Sequence, residues 1–256
     1  MFKILRIVIL LLILASVWGT YRMQLSIAED WSGVVTIKII PVIADQQLST
    51  AKFVRSLRPK DFDEVSRYLT QSAKGYDLDL SNVIQVELEA PISSVPPSIP
   101  QADSNRLDHI IWSLRLRWWA WNNQLDDHQN YHIRLFMLYQ SPAAGVALDH
   151  STGLRNGLIG LVNARASRRN KRFHNVVLVH ELLHIFGATD KYDIATGQPI
   201  YPQGYVRPNA KPHWPQPYAE IMGRARQTSA ESFEVAERLS QTRLSELTAR
   251  EIGWLK

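Results

Sequence analysis

Apolar residues along this chain recur with two periods, and each period predicts its own kind of element. Val34 to Ile43 (VVTIKIIPVI) is an almost unbroken β-branched run. It predicts a strand, interrupted or edged at Pro41 because proline cannot donate to a ladder. Val83 to Leu88 (VIQVEL) alternates and predicts a second strand. Tyr131 to Tyr139 (YHIRLFMLY) and Gly157 to Ala164 (GLIGLVNA) predict two more, the glycines of the last suiting an edge or a bulge. Helical spacing marks the remainder. Residues 61–73 read as a short helix with Asp61 near its start. In residues 104–124, Leu107, Ile110, Ile111, Leu114, Trp118 and Trp121 fall at i, i+3, i+4, i+7, i+11 and i+14. That single stripe predicts a long helix packed on the core through these residues and capped by Asp103 or Ser104. Residues 176–187 form a further helix behind Asn175, and Ser240 to Trp254 closes the chain as an amphipathic helix. Four prolines in 91–100 and six in 193–220 break all periodicity and predict loops. Strands and a long helix followed by helices and a loop predict an α+β fold with a mixed sheet.

The N-terminus obeys a different pattern. Lys3 and Arg6 precede an apolar run from Ile7 to Val17, broken only by Ser16, and then Trp18. A basic segment before a short apolar one is the export pattern. The run falls short of the ~20 residues that span a bilayer comfortably, though Trp18 and Tyr21 suit the far interface. No A-x-A cleavage site is present after it, so residues 1–22 read as a signal anchor or a signal peptide. Either places residues 23–256 outside the cytoplasm, in the cell envelope or beyond. Residues 23–103 read as an N-terminal region, either part of the catalytic domain or a pro-segment, and 104–256 as the catalytic domain.

Composition removes several chemistries. The 256 residues are 45% hydrophobic and 21% charged, which excludes a wholly disordered chain. No cysteine is present, which excludes disulfides, cysteine-ligated metals and a thiol nucleophile. The net charge of +5 is too mild to select a partner.

The chemistry sits in the helix 176–187. It contains HELLH, residues 180–184, so His180 and His184 share one helix face and both imidazoles can reach one ion. Glu181 stands about 100° round the helix, beside such an ion rather than on it, where it can take a proton from a water. Chance occurrence of this spacing is on the order of one in a hundred for a chain of this size. The apolar setting VVLVHELLHIF argues against idle histidines, since unliganded polar groups there are costly to bury. Gly187 can then end the helix in a left-handed turn and bring Asp190 back towards the pair. The third ligand has rivals in Asp193, His213, Glu231 and Glu234.

HELLHIFGATD with Ile221-Met222-Gly223 downstream resembles the metzincin clan of zinc peptidases. Asp190 stands where most of that clan has histidine, as in its snapalysin-like branch, which also has a tyrosine at the place of Tyr192. The resemblance covers residues 175–223. It implies one Zn²⁺ held by His180, His184 and Asp190, Glu181 as the base, and Met222 in the clan's methionine turn beneath the histidines. It also implies a metal-activated water hydrolysing peptide bonds, and a peptide or protein substrate lying along an edge strand. Leu158, Ile159, Gly160 and Leu161 are the candidates for that strand. Tyr192 and His213 are candidates for an oxyanion contact or for support of the ligands. Two departures stand out: Arg224 replaces the tyrosine that many relatives carry two residues after the methionine, and no cysteine exists to silence a zymogen.

The basic run Arg165, Arg168, Arg169, Lys171, Arg172 reads first as a solvated loop. No nucleic-acid fold signature accompanies it. The competing readings of the whole chain are a non-catalytic, zinc-stabilised envelope domain that binds peptides or partners, and an envelope module that uses the basic run on lipid or polyanion.

Overall fold

A computed structural model describes residues 6–8, 11, 19, 31, 33–100, 104–123, 133–142, 150–155 and 157–255. The N-terminal segment 1–22 and Asp103 thus lie largely outside the described residues. Among those described, no helix is long and apolar enough to cross a membrane.

The fold is α+β around a mixed five-stranded sheet. Its strands are β1 (Val35–Ile43), β2 (Ile84–Leu88), β3 (Ile133–Gln140), β4 (Thr152–Leu154) and β5 (Ile159–Arg165), in the spatial order β2-β1-β3-β5-β4. All pairs are parallel except β4 with β5. A parallel sheet covered on both faces demands near-continuous apolar strands, and β1, β3 and β5 supply them. On one face Ile37, Ile39, Leu135, Met137 and Val162 pack with α2 (Asp63–Lys74) and α4 (Lys171–Phe186). On the other Ile40, Val42, Phe136, Leu138, Ile159 and Leu161 pack with α3 (Arg106–Asn122). A short helix α1 (Leu48–Arg55), for which the pattern gave no signal, comes after β1. The C-terminal third is mostly irregular. It holds the short strands β6 (Ala219–Glu220), β7 (Ala225–Gln227), β8 (Phe233–Val235) and β9 (Thr242–Arg243), then α5 (Glu246–Glu251).

β1 lies between β2 and β3, so residues on either side of the proline-rich segment share one sheet and one core. The proline-rich segment is not a free linker. Trp112 Nε1 donates to the Pro97 carbonyl at 3.1 Å and Trp119 Nε1 to Ser94 Oγ at 2.8 Å, which fastens it to α3. Pro41 sits inside a central strand. Its lost donor faces β2, whose ladder stops at Leu88 and resumes only where the Ile92 N–H donates to the Pro41 carbonyl at 2.9 Å.

Four expectations are corrected. The apolar stripe of α3 does not face the core: Leu107, Ile110, Ile111, Leu114, Trp118 and Trp121 are exposed, and Trp112, Leu116, Trp119 and Ala120 are buried instead. The helix has two apolar faces. The inner one is chosen where the indole N–H groups meet acceptors in the proline-rich segment. The active helix begins at Lys171 rather than 176, and Asn175 is buried within it, donating to the Asp61 carbonyl at 3.2 Å. The basic run is not simply solvated: Arg168 and Lys171 pair with the buried Asp61 at 3.2 and 2.7 Å, tying the segment before α2 to the start of α4. The closing helix shrinks to Glu246–Glu251, because Thr242 and Arg243 pair with Ala219 and Glu220 and Ser245 caps the helix at its start.

His174 is buried in α4 and its Nε2 accepts the Arg165 N–H at 3.1 Å. Burial pushes its pKa down to about 4, from 6.5 for the free side chain. Between those values the unfolded chain binds the extra proton, so this contribution is full above pH 6.5 and is lost as pH falls towards 4. It amounts to about 3 kcal/mol. Urea melts across this range should show the wild type losing that stability relative to His174→Gln. Parallel pH profiles of the two proteins would contradict the assignment.

Candidate metal centre

α4 is apolar on most sides because it is enclosed by the sheet, α2 and the C-terminal segments. His180 and His184 occupy one strip of it, and every neighbouring element constrains them. His180 Nδ1 donates to the Ile221 carbonyl at 3.0 Å. His184 Nδ1 donates to the Ala188 carbonyl at 2.8 Å. With both Nδ1 atoms so engaged, each Nε2 keeps its lone pair. The two Nε2 atoms stand 3.2 Å apart, and Asp190 Oδ1 lies 3.0 Å from that of His180 and 3.2 Å from that of His184.

Three acceptors thus converge on one another. Such an arrangement calls for a cation among them. A tetrahedral ion with bonds of ~2.0–2.1 Å sets its ligands about 3.3 Å apart, close to the separations found. These residues therefore fit a metal, and they form the one such group among the described residues.

Asp190 arrives here through the helix end. Gly187 takes φ +111°, and the N–H groups of Gly187 and Ala188 close on the carbonyls of His184 (3.0 Å) and Leu183 (2.9 Å). A Cβ on Gly187 would meet Arg155 Nη1 at 2.8 Å. Beyond the turn, Glu251 of α5 grips both neighbours of Asp190. It accepts from Thr189 Oγ1 at 2.7 Å and from the buried Lys191 Nζ at 2.6 Å. The Lys191 N–H in turn donates to the Met222 carbonyl at 2.9 Å. Met222 is fully buried in the turn Ile221–Gly223. That turn is capped by the buried Glu220, which also accepts from Ser245 Oγ at 3.1 Å and Thr248 Oγ1 at 2.7 Å. Neither Glu220 nor Glu251 was singled out from the sequence. Their only local signals are adjacency to the Ile-Met-Gly turn and a place in the last helical turn.

Glu181 is 5% exposed, and its Oε2 has no hydrogen-bond partner among the described residues. Burial pushes its pKa up. Tyr192 lies beside the pair, its ring 6.2 Å from that of His180, with the Arg224 guanidinium 4.8 Å above it. Burial also raises the Tyr192 pKa, so its hydroxyl stays protonated. His213 instead joins an aromatic cluster with Tyr201, Tyr205 and Trp214. Asp193 is spent within its own loop, accepting from the Thr196 N–H at 2.7 Å and from Thr196 Oγ1 at 2.8 Å. Glu234 pairs with Arg226 at 2.6 Å, and Glu231 is exposed.

The expected edge strand is corrected. Ile159, Gly160 and Leu161 pair with β3 on one side and β4 on the other, and Leu158 precedes them with its carbonyl bonded to the Arg134 N–H, so this backbone is not open. The edge is β4. It lies against α4: a Cβ on Gly153 would overlap the Glu181 carbonyl oxygen and approach His184 Cβ to 2.9 Å.

No protein-family model matches the chain, and a search of curated proteins finds no match.

Asp190→Ala should weaken metal affinity by at least ~10-fold, while Asp193→Ala, His213→Ala and Glu231→Ala leave it unchanged. Competition with a chromophoric chelator measures this, and loss of metal from one of the last three would move the third ligand elsewhere. Glu251→Ala touches no ligand, yet it frees both neighbours of Asp190. It should cost ~10-fold in the same titration. An unchanged constant would mean the turn holds its shape without α5.

Proposed function

We propose that the chain is a zinc-dependent endopeptidase on the metzincin plan, exported or membrane-anchored with its catalytic part outside the cytoplasm. One observation carries the reading: two imidazole Nε2 atoms and one carboxylate oxygen converge, and a buried, unpartnered carboxylate of Glu181 stands on the next helical position.

The donor set favours zinc. Two neutral imidazoles and one carboxylate are a borderline-soft set, and three protein ligands leave a coordination position for chemistry. When bound, the ion supplies Lewis acidity to the scissile carbonyl and lowers the pKa of a water. A purely structural site would need neither the open position nor Glu181. The Gly187 reversal and the Ile221-Met222-Gly223 turn, whose Ile221 carbonyl orients His180, further support the metzincin reading.

The chain's own residues divide the remaining work. Glu181 Oε2 takes a proton from the attacking water and returns it to the leaving amine nitrogen. Its burial keeps it basic enough to accept that proton. Tyr192, protonated and braced by Arg224, donates its hydroxyl to the oxygen that gains charge. An extended peptide adds to the outer edge of β4, which runs along the metal helix, so its backbone pairs with the strand before any side chain is read. The basic Lys3 and Arg6 ahead of the apolar run account for export.

Zinc-loaded wild type should cleave members of an unbiased peptide library, and Glu181→Gln should retain zinc while losing ~10²–10⁴ in turnover. A wild type that binds zinc stoichiometrically and cleaves nothing would leave a zinc-stabilised binding domain as the better account.

A further inference from the structure

The outer face of α3 is the largest feature that the proposed site does not use. Leu107, Ile110, Ile111, Leu114, Trp118 and Trp121 are each between 47% and 67% exposed. At 100° per residue they occupy one arc about 100° wide with no polar member, and from Leu107 to Trp121 they extend about 21 Å. Arg106 and Arg117 border the arc on one side and Arg115 on the other. The one acidic residue of the helix, Asp108, closes the capping box with Asn105, whose Oδ1 accepts the Asp108 N–H at 2.9 Å. The opposite face is already spent on the core through Trp112, Leu116, Trp119 and Ala120. A continuous apolar face of this kind marks an interaction surface.

We propose that this face lies in the interfacial layer of an anionic lipid bilayer, as a second membrane contact beside the N-terminal segment. Three observations select lipid over protein. The arc is apolar along its whole length and edged by the exposed Arg106 and Arg115, whose stems can lie along it while the guanidinium groups meet lipid phosphates. Two tryptophans sit towards its C-terminal end, and tryptophan favours the membrane–water boundary. The chain also begins with Lys3, Arg6 and the apolar run Ile7 to Val17, which holds the protein at a bilayer in the membrane-anchored form of the proposed function, on which this third argument rests. Residues 19–30, which can reach about 40 Å when extended, separate that run from Trp31, packed on Phe186 and Trp254. The inference stands independently of the peptidase reading, since it uses neither the metal ligands nor Glu181.

The absence of cysteine makes the test clean. Leu114→Cys on the outer face and Gln71→Cys on α2, in the opposite layer, each give a single labelling position for a polarity-sensitive fluorophore. The full chain is reconstituted in vesicles of phosphatidylcholine with phosphatidylglycerol, and lipids carrying a nitroxide on the acyl chain are added. Quenching at 114 should exceed that at 71 by about threefold or more. Adding Trp118→Glu to Ile110→Cys should cut the quenching of a label at 110 about threefold, with the melting temperature in detergent unchanged because Trp118 is exposed in the fold. Equal quenching at 114 and 71 overturns the proposal. So does a label at 114 that is shielded from water yet not reached by lipid nitroxides, because a second copy or the run Ile7 to Val17 would then cover the face. A large fall in melting temperature for Trp118→Glu would likewise mean that protein covers it.

Discussion

Three lone pairs aimed at one point are electrostatically unfavourable unless something positive sits among them, and the rest of the structure is arranged to keep them there. His180 cannot rotate without breaking its bond to Ile221, nor His184 without breaking its bond to Ala188. Asp190 cannot retreat without disturbing Thr189 and Lys191, both held by Glu251. The acceptor for each imidazole N–H is fixed by backbone rather than by a mobile side chain. Such a geometry would cost little to reorganise around a cation.

Three carboxylates, Asp61 and Glu220 buried and Glu251 half-buried, do the long-range fastening. Asp61 ties the segment before α2 to the start of α4 through Arg168 and Lys171. Glu220 joins the Ile221–Gly223 turn to the cap of α5 through Ser245 and Thr248. Glu251 joins α5 to the turn that carries Asp190. Each links parts of the chain that the apolar core alone would leave free to slide, because hydrophobic contact is non-directional and hydrogen bonds are not. The group of His180, His184 and Asp190 is therefore positioned by three polar links as much as by packing.

The two faces of the sheet serve different ends. The face under α4 carries the candidate chemistry, and the antiparallel β4 runs beside it with an open edge among the described residues. The face under α3 carries none. There Trp112 and Trp119 are buried with their indole N–H groups satisfied by the proline-rich segment, and the outer side of the helix stays apolar. A surface helix with two apolar faces is informative in itself, because covering one with the sheet leaves the other without a reason inside the fold.

The amino-acid sequence alone determined what is local. The i, i+4 histidines and the glycine that ends their helix are set by helix geometry and by φ freedom, whereas Asp190 had rivals in Asp193, His213, Glu231 and Glu234 and only the fold brings it to the histidines. The strands at 35–43, 84–88, 133–140 and 159–165 arise from β-branched and alternating runs in the same way. What the tertiary structure decided is every choice between two locally equivalent options. Periodicity finds the apolar stripe of α3 but not which of two apolar faces is buried, since that depends on acceptors at Ser94 and Pro97. Glycines at 157 and 160 suggest an edge, but edge status belongs to the sheet, and the three-residue β4 that takes it is too short to leave a pattern. Glu220 and Glu251 read as ordinary surface carboxylates. Only the folded chain, by removing water from around them, turns them into the links that hold the site.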